Sequence, residues 1–199
     1  MSLTDIRRNL ADRITAPLVG VLSRVGITPN ALTLINLALN VLAAYVITAG
    51  QFLLGGVLVL VSGFFDLLDG ALARFTKRST KFGALLDSTV DRLAEAAILF
   101  GLLVWYTGDT PQGNRAEILL VYAVLVGSFL VSYVKARAEG VGWQCRVGLF
   151  TRAERVIVLA VGLMIDQVLI ALCVLAVFVF ITVGQRLAHL RKQARTGGD

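Results

Sequence analysis

The stretch DLLDGALARFTKRSTKFGALLDSTVD, running from Asp66 to Asp91, decides how the chain is read. It carries carboxylates at 66, 69, 87 and 91 and is flanked by long apolar runs. Residues three or four apart share a helix face. Asp66, Asp69, Gly70 and Ala73 therefore line one stripe, and Gly83, Asp87 and Asp91 line a second. Two helices joined by the basic turn 76–81 bring the stripes face to face, which predicts a cage of four carboxylates. Four unpaired anions repel strongly where the dielectric is low, and a divalent cation answers that repulsion. All-oxygen donors favour a hard ion, Mg²⁺, Mn²⁺ or Ca²⁺, over zinc. Mg²⁺ is commonly held by a few carboxylates together with substrate phosphates, so the pattern implies a phosphorylated substrate. Arg74 suits a diphosphate oxygen, and Gly70 and Gly83 leave room for a close approach.

The surroundings are those of a membrane. Of 199 residues, 57% are hydrophobic, and the mean hydropathy is +0.79. Six apolar segments are predicted as helices, at about 31–49, 52–74, 84–107, 116–137, 151–166 and 167–188. Before them, Leu3, Ile6, Leu10, Ile14, Leu18 and Val21 recur at helical spacing with Arg7, Arg8 and Arg13 between them. That predicts an amphipathic helix lying in the headgroup plane, without a cleavable signal pattern. Thr28-Pro29-Asn30 starts the next helix, with Pro in the first turn. The expectation is an all-α membrane protein of one domain over 1–199: a juxtamembrane helix within 1–27 and a six-helix bundle over 28–190. Cys145 and Cys173 suggest neither a disulfide nor a metal site. Asn36 and Asn40 read as hydrogen-bond partners between helices.

Charge sets the expected orientation. Of the 19 Lys and Arg residues, all but Arg92 and Arg115 lie before the first segment, around the second and fourth connections, or around the end of the sixth segment. By the positive-inside tendency, both termini and the acidic stretch face the cytoplasm of a multi-pass protein in the cell membrane. The net charge of +6 is explained by a membrane surface and phosphorylated substrates, not by nucleic acid. The fifth segment offers only residues 156–165 between Arg155 and Asp166, a rise of about 15 Å, half the hydrocarbon thickness. Asp66, Asp69, Arg152, Glu154 and Arg155 therefore reach below the headgroups. Charges at that depth must face one another or a wet cavity, here one open to the cytosol.

The spacing Asp66-x2-Asp69-Gly70-x2-Ala73-Arg74-x8-Gly83-x3-Asp87-x3-Asp91 resembles the signature of the CDP-alcohol phosphatidyltransferase family. The resemblance implies six transmembrane helices, a homodimer, and two metal ions, Mg²⁺ or Mn²⁺, held by Asp66, Asp69, Asp87 and Asp91. It also implies a reaction in which the hydroxyl of an acceptor alcohol attacks the lipid-linked phosphorus of CDP-diacylglycerol and CMP leaves. It implies that Pro29, Asn30 and Thr33 meet the nucleotide, with Asp69, Gly70, Arg74 and Gly83. For Asn30 and Thr33, helix-start chemistry is the plainer reading. Asp91 is a metal ligand, a general base, or both; coordination would weaken it as a base, and the resemblance favours the base.

The acceptor is read from a second cluster. Ser132, Lys135, Arg137, Arg152 and Arg155 converge on the cavity side of the fourth and fifth segments, and Arg195 reaches in from the tail. A phosphomonoester needs such a cluster, whereas a free polyol does not; ordinary positive-inside charge is the competing explanation. Leu86-Asp-Ser-Thr-Val-Asp-Arg92 followed by Leu-Ala-Glu-Ala, with Ser132 to Glu139 and Arg152-Ala-Glu-Arg155, resembles the family's phosphatidylinositol-phosphate synthases. The loop Gly140 to Arg146 departs from that pattern. Inositol 1-phosphate is the expected acceptor. Glycerol 3-phosphate is the alternative, and a cation-coupled transporter the reading from another class. Small residues in the third and fourth segments suit a dimer contact.

Overall fold

The computed structural model describes residues 17–76, 80–108 and 115–196, and among them the only regular structure is helical. Most of the expected interfacial helix, Leu3 to Arg13 included, lies outside the described residues, as do Lys77 and Arg78. A short helix, α1, covers 17–25 and is followed by α2 (Pro29–Thr48), α3 (Phe52–Phe75), α4 (Lys81–Thr107), α5 (Arg115–Gly140), α6 (Arg152–Met164) and α7 (Val168–Thr196).

The starts are locally determined. Thr28 caps α2 by accepting from the Ala31 N–H at 3.2 Å, with Pro29 in the first turn. Thr80 caps α4 by accepting from the Gly83 N–H at 2.9 Å. The carboxylate of Glu154 folds back to accept from the Thr151 N–H at 2.9 Å, closing the capping box that starts α6. Glu154, expected among the deep charges, thus serves its own helix end.

Four helices, α2, α3, α5 and α7, are long and apolar enough to cross a membrane. The other two candidate spans differ for separate reasons. α4 is 27 residues long, but the part up to residue 95 holds Asp87, Asp91, Arg92 and Glu95. α6 has 13 residues, about 20 Å of rise against roughly 30 Å of hydrocarbon.

α2 packs on both α3 and α4, α5 on α7, and α6 bridges α3 and α7. The shared core joins Ile47, Val59, Leu99, Leu102, Leu163 and Leu172. In a bilayer, close backbone approach drives such packing more than burial does. A Cβ at Gly101 of α4 would stand 2.6 Å from the Ala44 carbonyl of α2, and one at Gly127 of α5 would stand 2.5 Å from Val179 of α7. By sequence, small residues of these two helices suit a dimer contact, without any being singled out. The structure uses both glycines inside the chain.

A smaller cluster, Leu32, Leu68 and Leu72 with Val19 of α1, packs the end of the bundle where the acidic stripes lie. The loop between α5 and α6 is pinned by α7. The Phe150 N–H donates to Thr182 Oγ1 and the Leu149 N–H to Gln185 Oε1, each at 3.0 Å. Arg186 Nε donates to the Val147 carbonyl at 3.0 Å, and its Nη1 donates to the Val131 carbonyl of α5. The first turn of α6 is thereby set against α3 and α4.

Candidate active site

The last three turns of α3 and the first three of α4 face each other, as the two stripes require. Asp66, Asp69 and Asp87 each offer a carboxylate oxygen within 4.8 Å of the others. Asp69 is buried and accepts from Thr33 Oγ1 of α2 at 2.9 Å. Asp66 Oδ1 accepts from Asn36 Nδ2 at 3.4 Å. Behind Asn36 a polar ladder continues into the apolar layer: Asn40 Nδ2 donates to Asn36 Oδ1 at 2.8 Å, and Ser62 Oγ donates to Asn40 Oδ1 at 3.1 Å. Both asparagines are thus linked to α3. The triad is an all-oxygen donor set of like charge, held from behind by neutral donors, and it fits a hard divalent cation.

Asp91 stands outside that triad, in keeping with the reading that sets it apart from the other three as a second-site ligand or base. Arg152 of α6 takes it up instead. Arg152 Nη1 donates to Asp66 Oδ1 at 2.7 Å and lies 2.8 Å from Asp91 Oδ1. One guanidinium nitrogen therefore bridges the acid that belongs to the triad and the acid that does not. The sequence assigned Arg152 to the acceptor phosphate; in the structure its first partners are carboxylates.

The residues expected around the nucleotide gather at the same end. A Cβ at Gly83 would stand 3.3 Å from Asn30 Oδ1, so the α4 start lies against the α2 start. A Cβ at Gly70 would stand 3.4 Å from Arg74 Nη1, an ordinary contact that places this glycine beside that guanidinium. Thr33 Oγ1 also lies 3.1 Å from the Pro29 carbonyl four residues earlier, which is back-bonding along the helix and not a cap, besides its bond to Asp69.

Two cavities meet at this point. The larger, of about 520 Å³, runs from Asp66, Asp91 and Arg152 between α3 and α6 into apolar walls that include Leu60, Phe64 and Ile157. The smaller, of about 260 Å³, is polar and brings together Asp91, Ser132, Lys135, Arg152, Arg155 and Arg186. Arg155 is 3% exposed and forms a two-pronged pair with Glu95 of α4, Nε to Oε1 at 2.7 Å and Nη2 to Oε2 at 2.8 Å. Its remaining nitrogen, Nη1, is buried without a hydrogen-bond partner, as is Arg152 Nε. Lys135 lies at the exposed rim, 3.8 Å from Glu139.

Arg137 and Arg195 do not join the cluster. Both are exposed, and neither lines either cavity. Arg137 is two residues past Lys135 and so turns to another face of α5. Arg195 is nine residues beyond Arg186, about 13 Å further along α7. Arg186, read from sequence only as an orientation charge, is the α7 arginine at the cavity, 5% exposed. Its signal was available: it falls within the last apolar segment, near its end, whereas Arg195 lies beyond it. Glu95 was also passed over, although it is the next step of the Asp87–Asp91 stripe.

The profile of the CDP-alcohol phosphatidyltransferase family matches residues 26–188. The chain is 37% identical over 177 residues to the archaetidylinositol phosphate synthase of Pyrococcus horikoshii, covering 88% of this chain and 90% of that protein. It is 39% identical over 195 residues to the phosphatidylinositol phosphate synthase of Corynebacterium glutamicum, covering 93% and 87%. The fold is similar to that of the Mycobacterium tuberculosis phosphatidylinositol phosphate synthase with CDP-DAG bound, at a TM-score of 0.81 and 34% identity over 88% of this chain and 92% of that one. The same enzyme has been solved in complex with manganese and citrate, and that structure matches at a TM-score of 0.80 and 34% identity over 87% of each chain. With the acidic signature at the meeting of α3 and α4 and this similarity across nearly its whole length, the chain belongs to the CDP-alcohol phosphatidyltransferase family.

Proposed function

We propose that this protein transfers a phosphatidyl group from CDP-diacylglycerol to inositol 1-phosphate, releasing CMP. The observation that carries the acceptor is the small polar cavity beside Asp91. Arg155, whose Nη1 is buried without a hydrogen-bond partner, lines it, and Arg152, Arg186 and Lys135 border the same space. An unsatisfied buried donor is costly, more so when charged, and a phosphomonoester supplies several acceptor oxygens at once. A polyol without a phosphate does not answer that demand.

The parts then take distinct roles. Asp66, Asp69 and Asp87 hold a divalent ion, Mg²⁺ or Mn²⁺, and Asp91 completes a second site or acts as the base. When bound, such ions stabilise charge on a diphosphate and its leaving group. Asn30, Thr33, Gly70, Gly83 and Arg74 receive the cytidine diphosphate, and the apolar cavity between α3 and α6 receives the lipid end. The acceptor phosphate rests on Arg155, with Ser132, Lys135 and Arg186 around it, which puts the acceptor hydroxyl near Asp91. That hydroxyl forms the new bond to phosphorus, the bond to CMP breaks, and Asp91 takes the proton.

The proposed setting is the cell membrane, with α4 and α6 joining α2, α3, α5 and α7 as a six-span bundle and the site open to the cytoplasm. Arg155 beside Glu95, and Arg152 beside Asp66 and Asp91, are charges that answer one another at depth, which supports this reading. A homodimer is part of the same reading, on the family resemblance alone.

The test is incubation of the purified protein in lipid with CDP-diacylglycerol, Mg²⁺ and labelled inositol 1-phosphate, glycerol 3-phosphate or free inositol in separate arms. Labelled phosphatidylinositol phosphate in the first arm, well above the other two, is expected. Preferential use of glycerol 3-phosphate would overturn the choice of acceptor, and no CMP release with any of them would overturn the transferase.

A further inference from the structure

The stripe that supplies Asp87 and Asp91 has a third acid, Glu95, one turn deeper into α4. Its carboxylate does not join the others. Both of its oxygens are taken by Arg155, through Nε at 2.7 Å and Nη2 at 2.8 Å. The two side chains are 3% and 10% exposed. Two parallel bonds fix the plane of a guanidinium as well as its distance. With two nitrogens held on the α4 side, the direction of the third is no longer free, and Arg155 Nη1 is the buried donor left without a partner. Both residues line the small polar cavity, and both also border the large one.

Stability is a weak reason for such a pair, since apolar residues of similar volume commonly replace a buried ion pair at no cost. The neighbourhood offers a better one. Arg155 starts one turn after Arg152, and the carboxylates of Asp66 and Asp91 already hold Arg152. A second unrestrained guanidinium would be drawn to the same acids.

We propose that Glu95 is a positioning residue for the phosphorylated acceptor: it grips one edge of Arg155 so that Nη1 faces the phosphate, and it keeps this arginine off the metal-binding carboxylates. The proposal rests on the reading that Arg155 meets the acceptor phosphate, and the experiment separates the two.

Four forms of the full chain are compared in lipid nanodiscs: the parent, Glu95→Gln, Arg155→Ala and the double variant. Each is assayed with CDP-diacylglycerol and inositol 1-phosphate varied in turn. Glu95→Gln is expected to raise the KM for inositol 1-phosphate about tenfold, the effect of roughly one displaced charge-assisted contact. The KM for CDP-diacylglycerol should stay within about twofold, and kcat should fall less than the acceptor KM rises. In the double variant the Gln should add little to the loss from Arg155→Ala, because the two residues act as one unit. An unchanged acceptor KM in Arg155→Ala would overturn the phosphate reading itself. A raised value in Arg155→Ala with none in Glu95→Gln, or fully additive losses, would overturn the role of Glu95 alone. Should Glu95→Gln fail to fold, Glu95→Asp carries the same test. It keeps the charge and shortens the reach, and it must raise the acceptor KM without raising that of the CDP-lipid.

Discussion

Arg152 Nη1 lies 2.8 Å from Asp91 Oδ1 while also donating to Asp66 at 2.7 Å. A single cationic nitrogen thus links the acid proposed as the base to an acid of the metal triad. Removing it leaves two carboxylates facing each other in a partly buried site, where like charges repel most. Arg152→Ala is expected to lower kcat about 10²-fold, within the range for losing charge stabilisation at a reacting centre. Arg152→Lys should recover part of this, because a point charge can still sit between the two acids although the fork is lost. Equal activity in Arg152→Ala and the parent, measured as CMP released per minute, would remove Arg152 from the site.

The four acids should separate into two behaviours. Asp66, Asp69 and Asp87 approach within 4.8 Å and Asp91 does not belong to that set. Asp66→Asn and Asp69→Asn should therefore lose both CDP-lipid binding and turnover. Asp91→Asn should keep most of the binding and lose turnover by 10²-fold or more, the scale for a missing general base. Equilibrium binding of a labelled CDP-lipid, read beside turnover, distinguishes them. Equal loss of binding in all three would make Asp91 a plain ligand.

Chelation gives a further check on the same triad. Treatment with EDTA is expected to abolish CMP release, and Mg²⁺ or Mn²⁺ should restore it, since both accept carboxylate-rich oxygen sites. Zn²⁺ should restore much less. Full activity after exhaustive chelation would exclude a catalytic metal.

Much of this site could be read directly from the residues, because fixed helical spacing translates into shared faces. The stripes at 66/69/70/73 and 83/87/91 needed only the 3.6-residue period, and α3 and α4 present them to each other. Spacing does not reveal which cation an acid meets across the bundle. Asp91 shares a stripe with Asp87, yet α6 brings Arg152 to it from 61 residues away, and no local pattern encodes that. Arg137 and Arg195 were misleading for the opposite reason. Positive charge at a cytoplasmic end is common, so charge alone does not pick out the arginines that turn inward. Arg186 differs from Arg195 by its place within the last apolar segment, which was visible. Its bonds to the Val147 and Val131 carbonyls were not. Four of the six expected spans stand out by length and apolarity, whereas α4 and α6 carry the charges and the shortness that make the cavity.

The loop before α6 gives a stability prediction. Gly148 has φ +138°, and a Cβ there would stand 2.9 Å from Thr182 Cγ2 and 3.2 Å from Arg186 Nε. An L side chain is strained in that backbone region, and Arg186 is held too firmly to move aside. Gly148→Ala is expected to destabilise by about 1–3 kcal/mol and to lower activity through the displaced start of α6. A fall in melting temperature accompanied by a rise in acceptor KM would bear this out. An unchanged KM would mean that the loop does not position Arg152 and Arg155.

Orientation can be decided with single cysteines at exposed positions on opposite ends of the bundle, in a background where Cys145 and Cys173 are replaced. Lys81 at the start of α4 and Arg137 near the end of α5 are exposed at the end that carries the acids. Gln51 before α3 and Gly108 after α4 are exposed at the other. The flanking charges favour the acid-bearing end inside, since nearly all Lys and Arg residues border it. A membrane-impermeant maleimide should therefore label Gln51→Cys and Gly108→Cys in intact cells. It should label Lys81→Cys and Arg137→Cys only in inverted vesicles. The reverse pattern would place the acids on the outer face, where a soluble phosphorylated acceptor made in the cell could not reach Arg155, and the proposed reaction would lose its substrate supply.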